Sequence, residues 1–162
     1  MKRGKKVLII TYYWPPLGGA GVQRWVKFAK YLGDFGWEPV IYTPENPTFD
    51  IFDESLKKDI PSDLTVIRKK IWEPYTIFQK LLFFKKTKNF NTGGFVRNNN
   101  SKSLITNILL FIRGNFFIPD PRKYWVRPSV KFLSNYIKKN NIQNVITTGP
   151  PHSMHLIGLG LK

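Results

Sequence analysis

Residues 6–24 read Lys-Val-Leu-Ile-Ile-Thr-Tyr-Tyr-Trp-Pro-Pro-Leu-Gly-Gly-Ala-Gly-Val-Gln-Arg, and that order constrains the fold more than any other stretch of the chain. Val7 to Ile10 is a short, continuous, β-branched apolar run, the pattern of a parallel strand covered on both faces. After Pro15 and Pro16, the glycines Gly18, Gly19 and Gly21 permit positive φ and close approach of backbone N–H groups to a ligand. Val22, Trp25, Val26, Ala29 and Leu32 then recur at helical spacing. The first turn of such a helix points unpaired N–H groups back at the glycine loop and attracts anions.

Three readings of that loop compete. As a dinucleotide fingerprint it departs in detail, because Gly19-Ala-Gly-Val-Gln-Arg24 places Arg where a third glycine lets helix and strand pack closely. The next strand, Trp37 to Thr43, also ends in Thr43-Pro44 rather than in an acid that would hold a ribose. As a P-loop it fails, since no Gly-Lys-Ser/Thr follows. The third reading is a plain strand-to-helix turn that needs glycine for sterics alone.

The rest of the chain alternates in the same way. Strands are expected at Val7–Tyr12, Glu38–Thr43, Thr65–Lys69 and Asn144–Thr148. Helices are expected at Val22–Asp34, briefly at Glu54–Lys58, and at Ser129–Lys139, the last with Val130, Leu133, Tyr136 and Ile137 inward and Asn140-Asn141 ending it. Gly36 is the expected C-cap of the first helix, and Ser153 the expected N-cap of a helix starting near Leu156. Alternating β and α units predict an α/β fold, a Rossmann-like parallel sheet with flanking helices. At 162 residues the length suits about one domain.

Charge is the second constraint. Twenty-six basic residues against 10 acidic ones give a formal +16, which favours nucleic acid, anionic membrane or phosphorylated ligands as partners. Seven of the ten acids fall between residues 41 and 75, whereas 74–119 contains none. Residues 75–118 therefore form a basic, aromatic insert. Within it, 76–86 and 104–113 have amphipathic helical patterns too short to span a membrane, and 89–103 is rich in Asn, Gly and Ser, as in a loop. The two helices suit a membrane surface or, equally, ordinary packing with lysines on a solvated face. Nucleic acid is disfavoured, because the aromatics fall at helical spacing and no recognised binding motif accompanies them. The chain has no cysteine, which excludes disulfides and thiolate chemistry, and no signal peptide or membrane span is read at its N-terminus.

Two further segments carry polar groups suited to a site. His152 and His155, the only histidines, sit in the turn after the fourth strand, where open α/β sheets bind ligands. They suit acid–base or hydrogen-bonding work, or plain structural roles, and their spacing with no neighbouring carboxylate argues against a metal. Asp120 and Arg122 lie in a Pro-bracketed loop, and Arg24 stands in the first turn after the glycines, placed to add a charged contact to a bound anion.

Residues 6–24, together with Gly36-Trp-Glu-Pro-Val-Ile-Tyr-Thr-Pro44, Ile118-Pro-Asp-Pro-Arg122 and Ile146-Thr-Thr-Gly-Pro-Pro-His-Ser-Met-His-Leu-Ile157, resemble the N-terminal domain of family 4 glycosyltransferases of the GT-B fold, most of all bacterial members that build surface polysaccharides. The resemblance implies retaining transfer of a sugar from a nucleotide-sugar to a saccharide or lipid-linked acceptor, with no metal and no cofactor beyond that co-substrate. It assigns donor phosphates to Gly18, Gly19 and Gly21 and has the turn from Gly149 to His155 line the cleft; by position, Arg24 joins the donor-phosphate candidates, and Asp120, Arg122, Pro151 and Ser153 are the acceptor candidates. His152 and His155 become the catalytic candidates. It also implies a cytoplasmic enzyme, peripheral at the inner membrane face. The whole chain, 1–162, then corresponds to an incomplete acceptor-side domain, lacking the C-terminal domain with its paired glutamates, and by itself it is expected to show no transferase turnover. The alternatives are a non-catalytic basic module that binds anionic membrane or polyanion beside a partner chain, and a nucleotide-binding domain of another enzyme class.

Overall fold

A computed structural model describes residues 4–48, 51–73, 111, 115 and 118–162. The described chain is α/β. Strands β1 (Lys5–Ile10), β2 (Trp37–Pro44), β3 (Thr65–Lys69) and β4 (Asn144–Thr147) form one all-parallel sheet in the order β3-β2-β1-β4. Helix α1 (Ala20–Tyr31) lies on one side, and α2 (Val126–Asn140) and α3 (Ser153–Gly160) lie on the other. Of the expected insert helices, 76–86 and the rest of 104–113 lie outside the described residues, as does the loop 89–103; Phe111 is helical.

Strand β1 is the spine, pairing with β2 through Leu8 opposite Val40 and with β4 through Leu8 opposite Val145. Its side chains alternate faces, so a continuous apolar run supplies two cores. Val7 and Ile9 join Ile41, Trp14, Leu17 and the Val22, Val26, Ala29 stripe of α1. Leu8 and Ile10 join Val40, Tyr42, Trp125, Leu133 and the α3 residues Met154 and Ile157. Tyr42 carries its hydroxyl into the second core, where Ser129 Oγ lies 2.8 Å away and Trp125 Nε1–H donates to it at 3.3 Å. Burial holds that phenol above its ordinary pKa, in its neutral form.

The boundaries differ from the sequence reading in instructive places. The α1 pattern ends at Tyr31 and tightens into a 3₁₀ turn, Leu32–Phe35, which Gly36 closes at φ 75°, as expected of a C-cap. Helix α2 starts three residues early, at Val126, fed directly by a 3₁₀ turn, Pro121–Trp125. Pro128 sits in the first turn of α2, where its missing N–H costs no helical hydrogen bond. The α2 end is as expected: Asn141 adopts φ 52°, and Ile142 N–H donates to Ile137 O at 3.1 Å.

Ser153 is not the N-cap of α3. The helix begins at Ser153 itself, after His152, and the Ser153 hydroxyl points away from the helix N–H groups to donate to Asp120. A carboxylate from another segment has displaced the local hydroxyl as the acceptor.

Leu133 is fully buried between α2 and the sheet. Leu133→Ala is expected to lower stability by about 2–5 kcal/mol, and Lys138→Ala on the exposed side of the same helix by less than about 0.5 kcal/mol. Urea unfolding followed by circular dichroism measures both.

Candidate functional site

The carboxyl ends of β1 and β4 are adjacent, and the turns that leave them face each other across a cleft of about 370 Å³. One wall is the glycine loop and first turn of α1, from Gly18 to Val22 with Arg24 and Trp25. The other is Thr148, Gly149 and Pro150, while Thr11 and Tyr13 lie between the two walls. None of these lining residues is acidic. The floor is tied together: Thr148 N–H donates to Ile10 O at 3.1 Å, and the Thr148 hydroxyl donates to Thr11 Oγ1 at 3.4 Å.

The three glycines do different jobs. Gly18 has ordinary φ but no room; a Cβ there would meet Asp53 Cβ and Ile51 Cγ2, each at 3.0 Å. Residues 16–18 pair antiparallel with 51–53, through Gly18 N–H to Ile51 O at 2.9 Å and Asp53 N–H to Pro16 O at 2.9 Å. Gly18 thus pins the loop from behind. Gly19 alone of the three adopts positive φ, 101°, and is the N-cap of α1. Gly21 sits in the helix with no atom within 4 Å of where its Cβ would be, so packing does not demand glycine there.

Behind the opposite wall lies a buried polar network. Glu73 Oε1 accepts from the Tyr12 hydroxyl at 2.5 Å and from Arg122 Nε at 3.1 Å, while Oε2 accepts from Thr48 Oγ1 at 2.7 Å. Thr48 N–H donates to the Tyr12 hydroxyl at 2.8 Å, and the Arg122 guanidinium stacks on the Tyr12 ring at 5.0 Å. Burial, reinforced by the Glu73 charge, pushes the Tyr12 phenol well above its ordinary pKa. Asp120 extends the network by serving two helical starts. Its Oδ1 accepts from Arg122 N–H at 2.8 Å and from Ser153 Oγ at 2.9 Å, and its Oδ2 accepts from Ser153 N–H at 2.7 Å. A carboxylate at two helix N-termini is favourable to both.

The structure therefore brings Gly18, Gly19, Gly21 and Arg24 to the cleft. It places Asp120, Arg122 and Ser153 behind the second wall, where their polar groups hold one another, with Pro151 buried beside them. His152 and His155 stand against Gly149: a Cβ at that glycine would lie 2.8 Å from His155 Nε2 and 3.3 Å from His152 Nδ1. His155 Nδ1 is 2.8 Å from the Thr147 hydroxyl. Both rings are exposed. Sequence reasoning missed Thr11, Tyr13, Trp25 and Thr148 as lining residues. The available signal was position, since Thr11 and Thr148 are the first residues beyond the carboxyl ends of adjacent strands.

Comparison with known proteins returned nothing: no family model, no curated protein and no solved structure matches this chain significantly. The chemistry of the site rests on its own geometry. A second hollow, of about 610 Å³, opens at the amino ends of the strands between Lys5, Lys6, Glu38 and the turn from α2 to β4, far from the glycine loop in the fold.

Glu73 is 6% exposed and Arg122 18%, so removing the carboxylate strands a largely buried cation. Glu73→Ala is expected to cost about 3 kcal/mol, at the low end for a broken buried pair because Arg122 keeps some water. Glu45→Ala, on an exposed acid, is expected to cost less than about 0.5 kcal/mol. Chemical denaturation of both variants gives the comparison.

Proposed function

We propose that this chain is the acceptor-side part of a GT-B glycosyltransferase, a Rossmann-like half whose glycine loop receives the phosphates of a nucleotide-sugar. The observation that carries the reading is the cleft between the Gly18–Val22 loop and Thr148-Gly149-Pro150, which has Arg24 on its wall and no acid in its lining. The resemblance of the four sequence motifs to that family supports it, as does the fold, a parallel sheet with its cleft at the strand carboxyl ends.

Sugar transfer breaks the bond between the anomeric carbon and the diphosphate oxygen and forms one to an acceptor hydroxyl oxygen, releasing the nucleoside diphosphate and a proton. Negative charge grows on the departing phosphate. Backbone N–H groups of the first turn of α1 and the Arg24 guanidinium are placed to take that charge. Gly21 leaves space where a side chain would intrude on the phosphates. His155, steadied by Thr147, and His152 beside it are groups near the cleft able to exchange a proton with an acceptor hydroxyl. The acceptor is a saccharide or a lipid-linked sugar, the enzyme works at the cytoplasmic face of a membrane, and its product feeds cell-surface polysaccharide.

Calorimetric titration against a panel of uridine and guanosine diphosphate sugars tests the reading. At least one is expected to bind saturably, with affinity about tenfold lower in Arg24→Ala, the loss of one charge-assisted hydrogen bond. Gly21→Leu is expected to abolish binding and leave the fold intact, since its Cβ meets nothing within 4 Å. Saturable binding of NAD with no response to any nucleotide-sugar would overturn the reading.

A further inference from the structure

At the amino ends of the strands, opposite the cleft, the second hollow of about 610 Å³ is bordered by the starts of β1 and β2 and by the turn from α2 into β4. That volume is in the range of small-ligand sites. Its borders are set by the backbone. Lys5 N–H donates to Gly36 O at 3.0 Å, and a Cβ on Gly4 would lie 2.9 Å from the same oxygen, which fixes how β1 enters the sheet. On the other border, Asn141 holds φ 52° and Asn144 pairs with Val7 in the sheet.

Apart from Gly4, every residue that lines this hollow is charged or a carboxamide. Three lysines meet one acid: Glu38 lies 3.7 Å from Lys6 Nζ, which leaves Lys5 and Lys139 without a carboxylate partner among the described residues. Four carboxamides, Asn140, Asn141, Gln143 and Asn144, then fall within five residues. Two of them have structural work. Asn140 Nδ2 donates to Tyr136 O at 2.9 Å, and Asn141 supplies the left-handed residue that ends α2. Gln143 and Asn144 are exposed, and among the described residues their side-chain amides make no hydrogen bond. The end of α2 at this rim also brings the partial negative charge of a helix C-terminus.

We propose that this hollow binds an acidic saccharide, a sugar chain bearing carboxylates. Lys5 and Lys139 meet the carboxylates, and the carboxamides, each with donor and acceptor, pair with neighbouring hydroxyls. A helix C-terminus disfavours a compact, fully ionised phosphate and accepts hydroxyl donors, so charge spaced along a hydroxyl-rich chain suits the rim better than a bare anion. Nucleic acid is a poorer match, because no arginine and no aromatic ring lines the hollow to grip a phosphate in bidentate fashion or to stack a base. The inference stands whether or not the cleft takes a nucleotide-sugar.

Titration of the labelled full chain with trigalacturonate in about 0.1 M salt, read by amide NMR, tests it. Saturable shifts are expected at Lys5, Lys6, Asn141, Gln143 and Asn144. Maltotriose, the neutral chain of the same length, is expected to bind at least about tenfold more weakly, for want of charge-assisted contacts. Lys5→Glu/Lys139→Glu is expected to weaken trigalacturonate binding at least about tenfold. Asn141→Gly/Gln143→Ala keeps the left-handed turn and all the lysines, and is expected to weaken it at least about fivefold, an effect a purely electrostatic hollow would not show. Arg127→Glu/Lys131→Glu makes the same charge change at exposed positions toward the other end of α2 and is expected to stay within about twofold of wild type. Absence of saturable binding, equal affinity for maltotriose, equal losses from the two charge-reversed pairs, or unchanged affinity in Asn141→Gly/Gln143→Ala would each overturn the proposal. So would inorganic phosphate or a single-stranded oligonucleotide that shifts the same amides with equal or tighter affinity. Amide shifts away from the hollow report that each variant is folded.

Discussion

The buried contact between Glu73 and Arg122 joins the segment after β3 to the segment before α2. Glu73 follows the last strand of the first half, and Arg122 precedes the first helix of the second, so one ion pair joins segments 49 residues apart. Tyr12, just past the central strand, supplies the hydroxyl that completes the pair. The second wall of the cleft depends on this closure. With Arg122 fixed, its neighbour Asp120 reaches Ser153 and sets the start of α3, which holds the turn at Gly149. A buried ion pair adds little net stability over an apolar filling, but breaking it leaves a charge without a partner, so it acts chiefly to fix one arrangement.

Much of the fold is legible in the residues. The run Val7 to Ile10 announces a strand covered on both faces, and in the sheet Val7 and Ile9 face one core while Leu8 and Ile10 face the other. Periodicity places α1 and α2, and Gly36 and Asn141 mark helix ends by their tolerance of positive φ. What escapes is whatever depends on partners distant in sequence. Ser153 has every local credential of an N-cap, yet Asp120, 33 residues away, takes its hydroxyl. Gly18 looks like a ligand-contacting glycine, yet it is needed because residues 51–53 press against its α-carbon.

The glycine loop emerges as a divided device. Gly18 anchors it, Gly19 turns the chain into α1, and Gly21 lines the cleft, where Arg24 is the charged lining group. A plain strand-to-helix turn would account for the first two. Gly21, exposed with no atom within 4 Å of its Cβ position, lines the cleft together with Thr148 and Gly149 without being needed there for packing.

The central claim is that phosphate binds between the glycine loop and the turn after β4. Titrating the isotopically labelled chain with a nucleoside diphosphate, and following each backbone amide by NMR, reads this residue by residue. The account predicts saturating shifts at Gly19, Ala20, Gly21 and Val22 on one wall and at Thr148 and Gly149 on the other. Shifts confined to the lysine-lined hollow at Lys5, Lys6 and Lys139, with the glycine loop unmoved, would contradict it.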